Sequence, residues 1–406
     1  MTSALKPSHG WDRTFLNLSS KMAEPFCAIW GLFRYRLVAP LDPKKFESCA
    51  SKAEEIATRV FIGLGAIFGA TLFAAMPAPL FFSVALLGAG SRLFRAIGFA
   101  LQKGGYTHVR GEAPEKRLDG RDPQIKIMNW NVCGIAGGLS LDHGGVIAWR
   151  LRFNGIVQKI QAEDPDVLIL EEIYDTALGE ALIEKLKANY AHFFIHLGPS
   201  AMGSVGGCMV LSKCAVHSFS HESFANNHWT LNRGFATLEV KGNPQDLQPC
   251  ARVIGTHLIH GSDPKDGISR MHQFAQIINS VAKKALPIPT VLTGDLNTER
   301  DKEEGAPLAN RLIHGYTAQD PTCTNRMTAE WDGKSRAVWG EIIDYLSLFK
   351  EAVLDGKQLA VVSENIRIED CHLVKAFDAS YNTKTALSDH HGIMATIRGL
   401  RLPVLN

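Results

Sequence analysis

Five stretches of the chain set a carboxylate, amide or imidazole side chain beside a short apolar run that is typical of a β-strand. In chain order they are IMNWNV with Asn131, VLILEE with Glu172, VIGTHL with His257, VLTGDLN with Asp295 and Asn297, and the pair IIDYL and LSDHH with Asp344, Asp389 and His390. A rigid strand holds a side chain at the rim of a sheet while loops surround the substrate. Oxygen ligands together with histidine are what a Mg²⁺-assisted hydrolase of phosphate esters needs. The pattern predicts that chemistry.

Asp344 and His390 are the pair with the sharpest chemical meaning. A neutral histidine with a carboxylate on one ring nitrogen is a better base at the other nitrogen and is held in one tautomer, as activation of water requires. The alternative for a single histidine is a satisfied core residue. The doubled His390-His391 leaves open which ring acts, although on a strand His391 points to the opposite face.

Glu172 and Asn131 are candidates for a metal shell. Glu172 ends an apolar strand, where a carboxylate is costly unless it binds a cation or a hydrogen-bond partner. Asn131 offers an oxygen acceptor and an amide donor that could meet a phosphoryl oxygen. The alternatives are a solvated strand-end Glu172 and an Asn131 that closes a strand into a turn.

Asp295, Asn297 and His257 are candidates for contact with the reacting phosphate. Asp295 and Asn297 are two residues apart, so on a continuing strand they point the same way, one accepting and one donating. His257 could stabilise charge on a pentacoordinate phosphate. The alternatives are turn chemistry for residues 294–297 and a strand-end histidine bonded to a neighbour.

The elements that must position these side chains form an α/β pattern from Ile125 onward. Helices are predicted around residues 148–162, 178–189 and 269–285, with β-rich runs between and after them. Strands interleaved with helices and with hairpin-like runs indicate a mixed sheet system with helices outside.

The N-terminal part contains 32 residues, Val60–Ser91, without a charge. As one straight helix they would reach roughly 48 Å, beyond the ~30 Å hydrocarbon core of a bilayer. Pro77 and Pro79 disfavour a continuous helix, so two short helices bent back on each other are predicted. Basic residues flank both ends, which favours a shallow re-entrant hairpin with both ends in the cytoplasm. The alternative is a buried helix pair in a soluble domain.

Two further segments flank this run. Upstream, aromatic and aliphatic residues of 26–37 interleave with Arg34 and Arg36, which suits an interfacial helix at headgroup level. A cleaved signal peptide is not expected, because the apolar run begins near residue 60. Downstream, residues 102–124 are polar with Gly and Pro and are predicted to be a linker.

Charge and cysteine content narrow the function classes. Residues 1–110 carry 13 Lys/Arg against 6 Asp/Glu, or +7, which leaves −5 for residues 111–406 out of the total of +2. A mildly acidic catalytic part argues against broad capture of nucleic acid, which normally needs a basic face. The eight cysteines have no zinc-type spacing and indicate reduced thiols of a cytosol-facing protein, with a single Cys208–Cys214 disulfide left open.

The motifs, taken in order over residues 125–400, resemble the endonuclease/exonuclease/phosphatase superfamily, and within it the membrane-bound neutral sphingomyelinase branch. Asn131-Val132-Cys133, DVLILEEIYD at 166–175, THL at 256–258 and Asp344-Tyr345 carry this resemblance. It implies a four-layer sandwich of two mixed β-sheets flanked by helices, preceded by an N-terminal helical membrane segment.

The resemblance also implies roles for the candidate residues. His390 is the general base and Asp344 its orienter, while Asp295 orients the attacking water. Asn297, Asn131 and His257 bind the phosphate, and Glu172, Asn131 and Asp389 surround Mg²⁺, with Mn²⁺ as an alternative metal. Glu171 stands where the family usually has Gln, which leaves the metal environment open. Arg270 and Gln273 resemble a structural pair of the family, and residues 320–325 resemble a substrate-side loop.

Together these observations predict three regions: a membrane-associated helical region at 1–101, with its hairpin at about 60–91, a linker at 102–124, and a hydrolase domain at 125–401. The predicted reaction is Mg²⁺-dependent hydrolysis of a membrane phospholipid, with sphingomyelin giving ceramide and phosphocholine, by a membrane protein whose catalytic domain faces the cytoplasm. The alternatives are a nuclease or a phosphoinositide phosphatase of the same superfamily, and an inactive membrane-anchored binding module. Oligomeric state has no signature in the sequence.

Overall fold

The computed structural model describes residues 10–38, 49–75, 77–102, 104–118, 122–140, 145–198, 205–227, 232–283, 288–299, 311–318, 320, 322–324, 340–354, 357–360, 365–376 and 386–400. Its helices are α1 (Trp11–Leu32), which runs into a π-helical turn (Phe33–Leu37), α2 (Cys49–Ala74), α3 (Ala78–Leu101), α4 (Trp149–Glu163), α5 (Thr176–Leu186) and α6 (Pro264–Lys283). Its strands are β1 (Thr107–Arg110), β2 (Gln124–Asn131), β3 (Val167–Glu171), β4 (His192–Ile195), β5 (Met209–Ser212), β6 (Val216–Ser223), β7 (Gly234–Val240), β8 (Ala251–His257), β9 (Thr290–Asp295), β10 (Leu312–His314), β11 (Cys323–Thr324), β12 (Gly340–Glu341), β13 (Asp344–Phe349), β14 (Glu351–Leu354), β15 (Lys357–Ala360), β16 (Arg367–Val374) and β17 (Gly392–Arg398).

Two mixed β-sheets form the centre of the domain. The first has seven strands in the order β1-β4-β5-β3-β2-β17-β16, and the second has six in the order β10-β13-β9-β8-β7-β6. The pairs β2/β3 and β8/β9 are parallel, and the other neighbours are antiparallel. The predicted fold of two mixed sheets flanked by helices is confirmed.

Strand β3 shows how the sequence builds the layers. All five of its residues are buried. Val167 and Ile169 belong to the core between the two sheets, whereas Leu168 and Leu170 belong to the core beneath α4 and α5. A strand that is covered on both faces is therefore apolar without alternation. On the far side, α6 covers the second sheet through Phe274, Ile277 and Val281.

The stretch predicted as a linker belongs partly to the sheet. Strand β1 pairs with β4 in antiparallel register from Thr107↔Ile195 to Arg110↔His192. Further along, Leu118 is buried in the core between the sheets. The linker prediction is wrong for these residues, because a short edge strand with polar side chains has no apolar signature. Its His108 ring instead stacks on Phe194, with centroids 4.7 Å apart.

Helices α2 and α3 are longer than the two short helices that the sequence predicted. Pro77 separates them as expected, but they contain 26 and 24 residues, because α2 begins at Cys49 and α3 continues past Arg92. By length and composition alone, 52–72 and 78–101 could each cross a membrane, and only 6% of each apolar window is buried. The apolar side chains Phe61, Leu64, Ile67, Phe68, Phe82 and Leu86 are all exposed. In the alternative, a buried helix pair in a soluble domain, these side chains would be buried.

Helix α1 connects these helices to the hydrolase domain. It packs along the second half of α3, where the Ser19 and Ser91 hydroxyls are 3.3 Å apart. It also packs on α5, where the Arg13 Nε donates to Glu180 at 2.9 Å. The segment predicted as an interfacial helix is the end of α1 and the π-helical turn, and its Ile29 is 68% exposed.

Candidate active site

Strand pairing brings the predicted residues to one rim of the sandwich. In the second sheet, Asp295 at the end of β9 pairs with both Asp344 at the start of β13 and His257 at the end of β8. In the first sheet, Asn131 at the end of β2 pairs with Glu171 at the end of β3. The two sheets face each other, so these strand ends meet across one cleft.

His390 and Asp344 form a buried pair in this cleft. The His390 Nδ1 lies 2.9 Å from the Asp344 Oδ2. The imidazole is anchored through its backbone, since the His390 carbonyl accepts a bond from Trp130 Nε1 and its amide donates to Ser388 Oγ. Burial disfavours the imidazolium, but the neighbouring Cys323 and the Asp344 carboxylate outweigh it and raise the pKa of His390 well above its ordinary value. The Nδ1 is thus committed to Asp344, and the Nε2 faces the cleft.

Asp295 lies at the centre of the site. Its Oδ2 accepts a bond from Asn131 Nδ2 at 3.2 Å and lies 3.4 Å from His257 Nε2 and 3.9 Å from His390 Nε2. Burial, together with the nearby Asp344 carboxylate, raises its pKa to about 7. One carboxylate oxygen is therefore shared by three predicted site residues.

Asn297 is close to Asp295 but its side chain is engaged elsewhere. Its backbone amide donates to the Asp295 Oδ1 at 2.9 Å, and its Nδ2 donates to the carbonyl of Leu258 at 3.0 Å. Its Oδ1 lies 3.1 Å from His260 Nδ1. The residue has a φ of 51°, in the left-handed region that Asn tolerates. Strand β9 does not continue to Asn297, so the expected shared direction with Asp295 is not realised.

Glu172 and Asp389 present the carboxylates that a cation needs. Asp389 is buried, and burial followed by the charge of Asp389 raises the pKa of Glu172. Two neighbouring carboxylates in a cleft are mutually repulsive unless a cation or proton intervenes, so this donor set fits a hard divalent metal. Asn131 is less well oriented, because its oxygen accepts the backbone amide of Cys133 at 3.0 Å and its nitrogen faces Asp295. Its role as a metal ligand stays a prediction.

Comparison with known proteins assigns the chain to a family. The profile of the Endonuclease/Exonuclease/phosphatase family matches residues 128–390, well over half of the chain. The chain belongs to this family. The resemblance inferred from the motifs is confirmed, and with it the prediction of a family of phosphoric ester hydrolases.

Individual relatives are distant. Sphingomyelinase C 2 of Leptospira interrogans is 22% identical over 245 residues, 55% of this chain and 38% of that protein. Sphingomyelinase C of Listeria ivanovii is 25% identical over 46% of this chain and 60% of that protein. Human protein angel homolog 2 is 28% identical over 42% of this chain and 32% of that protein. The matched part of the chain therefore spans less than two thirds of the length of each of these relatives.

Solved structures show the same fold. The crystal structures of SmcL and of the beta toxin of Staphylococcus aureus each superpose with a TM-score of 0.52 at 20% identity. Each match covers 67% of this chain and nearly all of the other chain, 98% and 99%.

Glu171, which departs from the family pattern, lies under the site. Its side chain is fully buried and accepts the backbone amide of Asp295 at 3.1 and 3.2 Å. Burial and the Asp295 charge raise its pKa well above the ordinary value. Glu171 therefore holds the backbone of Asp295 at the end of β9 by accepting its amide.

Two buried arginines were not predicted from the sequence. Arg233, from the loop before β7, lies near Glu172 and Asp295, and its guanidinium donates to the carbonyl of Leu258 and to Tyr174 Oη. Its Nε has no hydrogen-bond partner within the described residues. The only sequence signal was an arginine directly before an apolar strand, which is common.

Arg152 of α4 ties the loops of the site together. It is fully buried and donates to the carbonyls of Ile147, Val132 and Cys133, and to that of Leu387 just before the SDHH motif. These bonds join the loop after β2 to the loop before β17. A charged residue in a helix has no signature that distinguishes this role.

Three remaining predictions concern structural residues and thiols. Arg270 donates to the carbonyls of Ile259 and Gly261, and Gln273 accepts the Ile259 amide, so this pair shapes the loop after His257. His391 accepts the amide of Ala376 at 3.0 Å. Cys208 and Cys214 are both free thiols, so the disulfide left open by the sequence is not formed.

Proposed function

We propose that this protein is a Mg²⁺-dependent phosphodiesterase that hydrolyses a membrane phospholipid, with sphingomyelin as the leading substrate. The observation that supports it most is the His390–Asp344 pair, 2.9 Å apart, whose His390 Nε2 lies 3.9 Å from Asp295 Oδ2 in the cleft. The sphingomyelinases among the relatives support the choice of lipid.

The chain's own groups fit in-line attack of water on phosphorus. In its neutral form, His390 takes the proton of the water at Nε2, while Asp344 stabilises the imidazolium that forms. The raised pKa of His390 favours that proton transfer, and the activity should therefore increase with pH as the neutral form becomes populated. Asp295 orients that water. Asn131, His257 and Arg233 lie around Asp295. Their N–H groups would stabilise the negative charge that develops on the phosphoryl oxygens.

Glu172 and Asp389 would hold the metal, Mg²⁺ or Mn²⁺. A divalent cation bound there supplies Lewis-acid polarisation of the phosphoryl oxygen. Arg233 carries a fixed positive charge near Glu172 and Asp295, which offsets part of the negative charge of the site.

The N-terminal helices support a lipid substrate. Helix α1 joins the anchor to the hydrolase domain through α5, so the cleft would stay beside the membrane surface. From Gly90 onward α3 packs on α1, where a Cβ at Gly90 would lie 2.6 Å from Met22. That leaves about a dozen residues of α3 free, roughly 18 Å against a ~30 Å hydrocarbon core.

This free length supports a re-entrant hairpin more than full crossing. Both flanks would then lie on one side, and their basic residues favour the cytoplasm. On this basis the protein has a membrane-associated region up to Leu101 and a hydrolase domain that begins before β1 and ends near residue 401.

The test is a substrate panel with purified full-length protein in vesicles and Mg²⁺. We expect phosphocholine release from sphingomyelin, little nicking of plasmid DNA and little phosphate release from phosphoinositides. His390→Ala should abolish the activity, whereas the control His372→Ala, at a half-exposed position on β16, should retain it. Activity on DNA without activity on lipid would overturn the substrate, and no activity on any ester would favour an inactive binding module.

A further inference from the structure

Thr322 and Cys323, in the segment 320–325 that resembles a substrate-side loop, have no role in the proposed reaction and lie against its general base, His390. Cys323 in β11 forms an isolated antiparallel bridge with His390. Thr322 fixes the segment, since its hydroxyl accepts the backbone amides of Ile343 and Asp344 and its carbonyl accepts the amide of His391. Through Thr322, the segment that carries the Cys323 thiol is thus bonded to the backbone of Asp344 and of His391, which follows His390.

Three different metal-binding groups converge at this point. One ligand atom each from Cys323, Asp389 and His390 lies within 4.8 Å of the other two, and all three residues are buried. Ligand atoms on one tetrahedral zinc ion are roughly 3 to 4 Å apart, given bond lengths of about 2.0 to 2.3 Å. Small side-chain rotations are therefore enough to close a three-ligand site.

The ligand types select the metal. Sulfur is a poor ligand for Mg²⁺ and a strong one for Zn²⁺, Cd²⁺ and Co²⁺, whereas imidazole and carboxylate serve both groups of cations. We propose that Cys323, Asp389 and His390 form a site for a thiophilic divalent cation, of which Zn²⁺ is the reference, and that its occupation switches hydrolysis off.

The surroundings of His390 match those of a zinc-bound histidine. A ligating histidine nearly always donates its other ring N–H to a carboxylate or carbonyl, which fixes the tautomer and the orientation. The His390 Nδ1 is already bonded to Asp344 at 2.9 Å, so its Nε2 is the nitrogen left for a metal. The Cys323 thiol loses its proton to solvent when it binds, and a fourth position is left for water.

The predicted inhibition by zinc rests on the proposed function, because the zinc site would share His390 and Asp389 with the catalytic site. Zinc on His390 Nε2 occupies the lone pair that would accept the proton of water. Zinc on Asp389 also takes a carboxylate from the proposed Mg²⁺ site, so raising Mg²⁺ should relieve the inhibition partly.

The experiment titrates Zn²⁺ into the full-length protein at fixed Mg²⁺ and compares wild type with Cys323→Ser. We expect the half-inhibitory zinc concentration to rise at least about tenfold in C323S, as losses around metal sites typically do. The matched control is Cys371→Ser, which removes a partly exposed thiol on β16 and should leave zinc sensitivity unchanged. Equal sensitivity of wild type and C323S would overturn the proposal.

A second readout does not depend on activity. Co²⁺ added to metal-free wild-type protein should give a thiolate-to-cobalt charge-transfer band that is absent in C323S and present in C371S. A band without any lipid hydrolysis would keep the site and refute the proposed function. Absence of the band in wild type would refute the site whatever the activity.

Discussion

Replacement of Asp344 by Asn is the sharpest perturbation of the proposed catalytic pair. The change is isosteric, and Asp344 is fully buried on β13, so volume and strand pairing are preserved. What is removed is the negative charge bonded to His390 Nδ1 at 2.9 Å. An amide at this position can also donate to Nδ1, which would place the imidazole proton on Nε2, where the base must be free.

The magnitude follows from the charge that is lost. Two charges about 4 Å apart at an effective dielectric of ~20 interact with roughly 4 kcal/mol, which corresponds to about 10³ in rate. The wrong tautomer adds to this, so we expect kcat to fall about 10³- to 10⁴-fold with little change in KM.

The assay is steady-state release of phosphocholine from sphingomyelin vesicles, or of the equivalent product of the best substrate in the panel. Asp246→Asn is the matched control, because Asp246 is a buried carboxylate in the β7–β8 turn, where it accepts the Asn243 amide. D246N should keep near-wild-type kcat. The double variant D344N/H390A should be no slower than H390A, because the two residues act as a unit. A folded D344N protein that retains a tenth or more of the wild-type kcat would refute the reasoning.

Three further predictions concern Arg233 and Arg152 at the site and His192 on β4. Arg233→Met should lower kcat about 10²-fold or more through loss of charge stabilisation, measured beside Arg233→Lys, which should recover part of it. Arg152→Met should lower the free energy of unfolding by roughly 3 kcal/mol in urea titrations, because it leaves several buried carbonyls without a donor; unchanged stability would contradict the bonds seen. Burial, with Arg110 nearby, lowers the pKa of His192 to about 4, below its unfolded value. The unfolded state therefore takes up the proton first, and His192 should contribute a loss of stability that grows from about pH 6.5 down to about pH 4 and is about 2 kcal/mol at pH 5. His192→Gln should remove this contribution, while His221 and His391, whose pKa values burial also lowers to about 4, keep theirs.

The helices and the chemical groups of the rim could be predicted because they depend on local pattern. The helix expected at 148–162 is Trp149–Glu163, and that expected at 269–285 overlaps Pro264–Lys283. Glu172, Asp295 and His390 follow apolar runs at strand ends or turns, and the strand pairing places Asp295 beside Asp344. Order along the chain and apolar periodicity suffice for this, since each strand end in such a sandwich has a defined rim.

The remainder depends on contacts between distant segments. Arg233 and Arg152 join the site from a loop and a helix whose sequences carry no chemical pattern. The resemblance of residues 320–325 to a substrate-side loop did not predict that Cys323 lies against His390. Strand β1 lacks apolar alternation and is held by pairing with β4. The direction of the Asn297 side chain could not be predicted either. The chain leaves the strand after Asp295, and Asn297 adopts a left-handed backbone conformation there.

The sequence by itself determined the family, the two-sheet fold and the set of groups able to perform phosphoester chemistry, because these are written in periodicity and residue type. Only the tertiary structure decided how the groups are used. In that structure His390 Nδ1 is bonded to Asp344, Glu171 accepts the backbone amide of Asp295, and Cys323 lies against His390. It also attached the apolar helices to the hydrolase domain through α1. The physical reason is that hydrogen-bond direction, burial and charge proximity arise from residues far apart in sequence, and no local pattern encodes them.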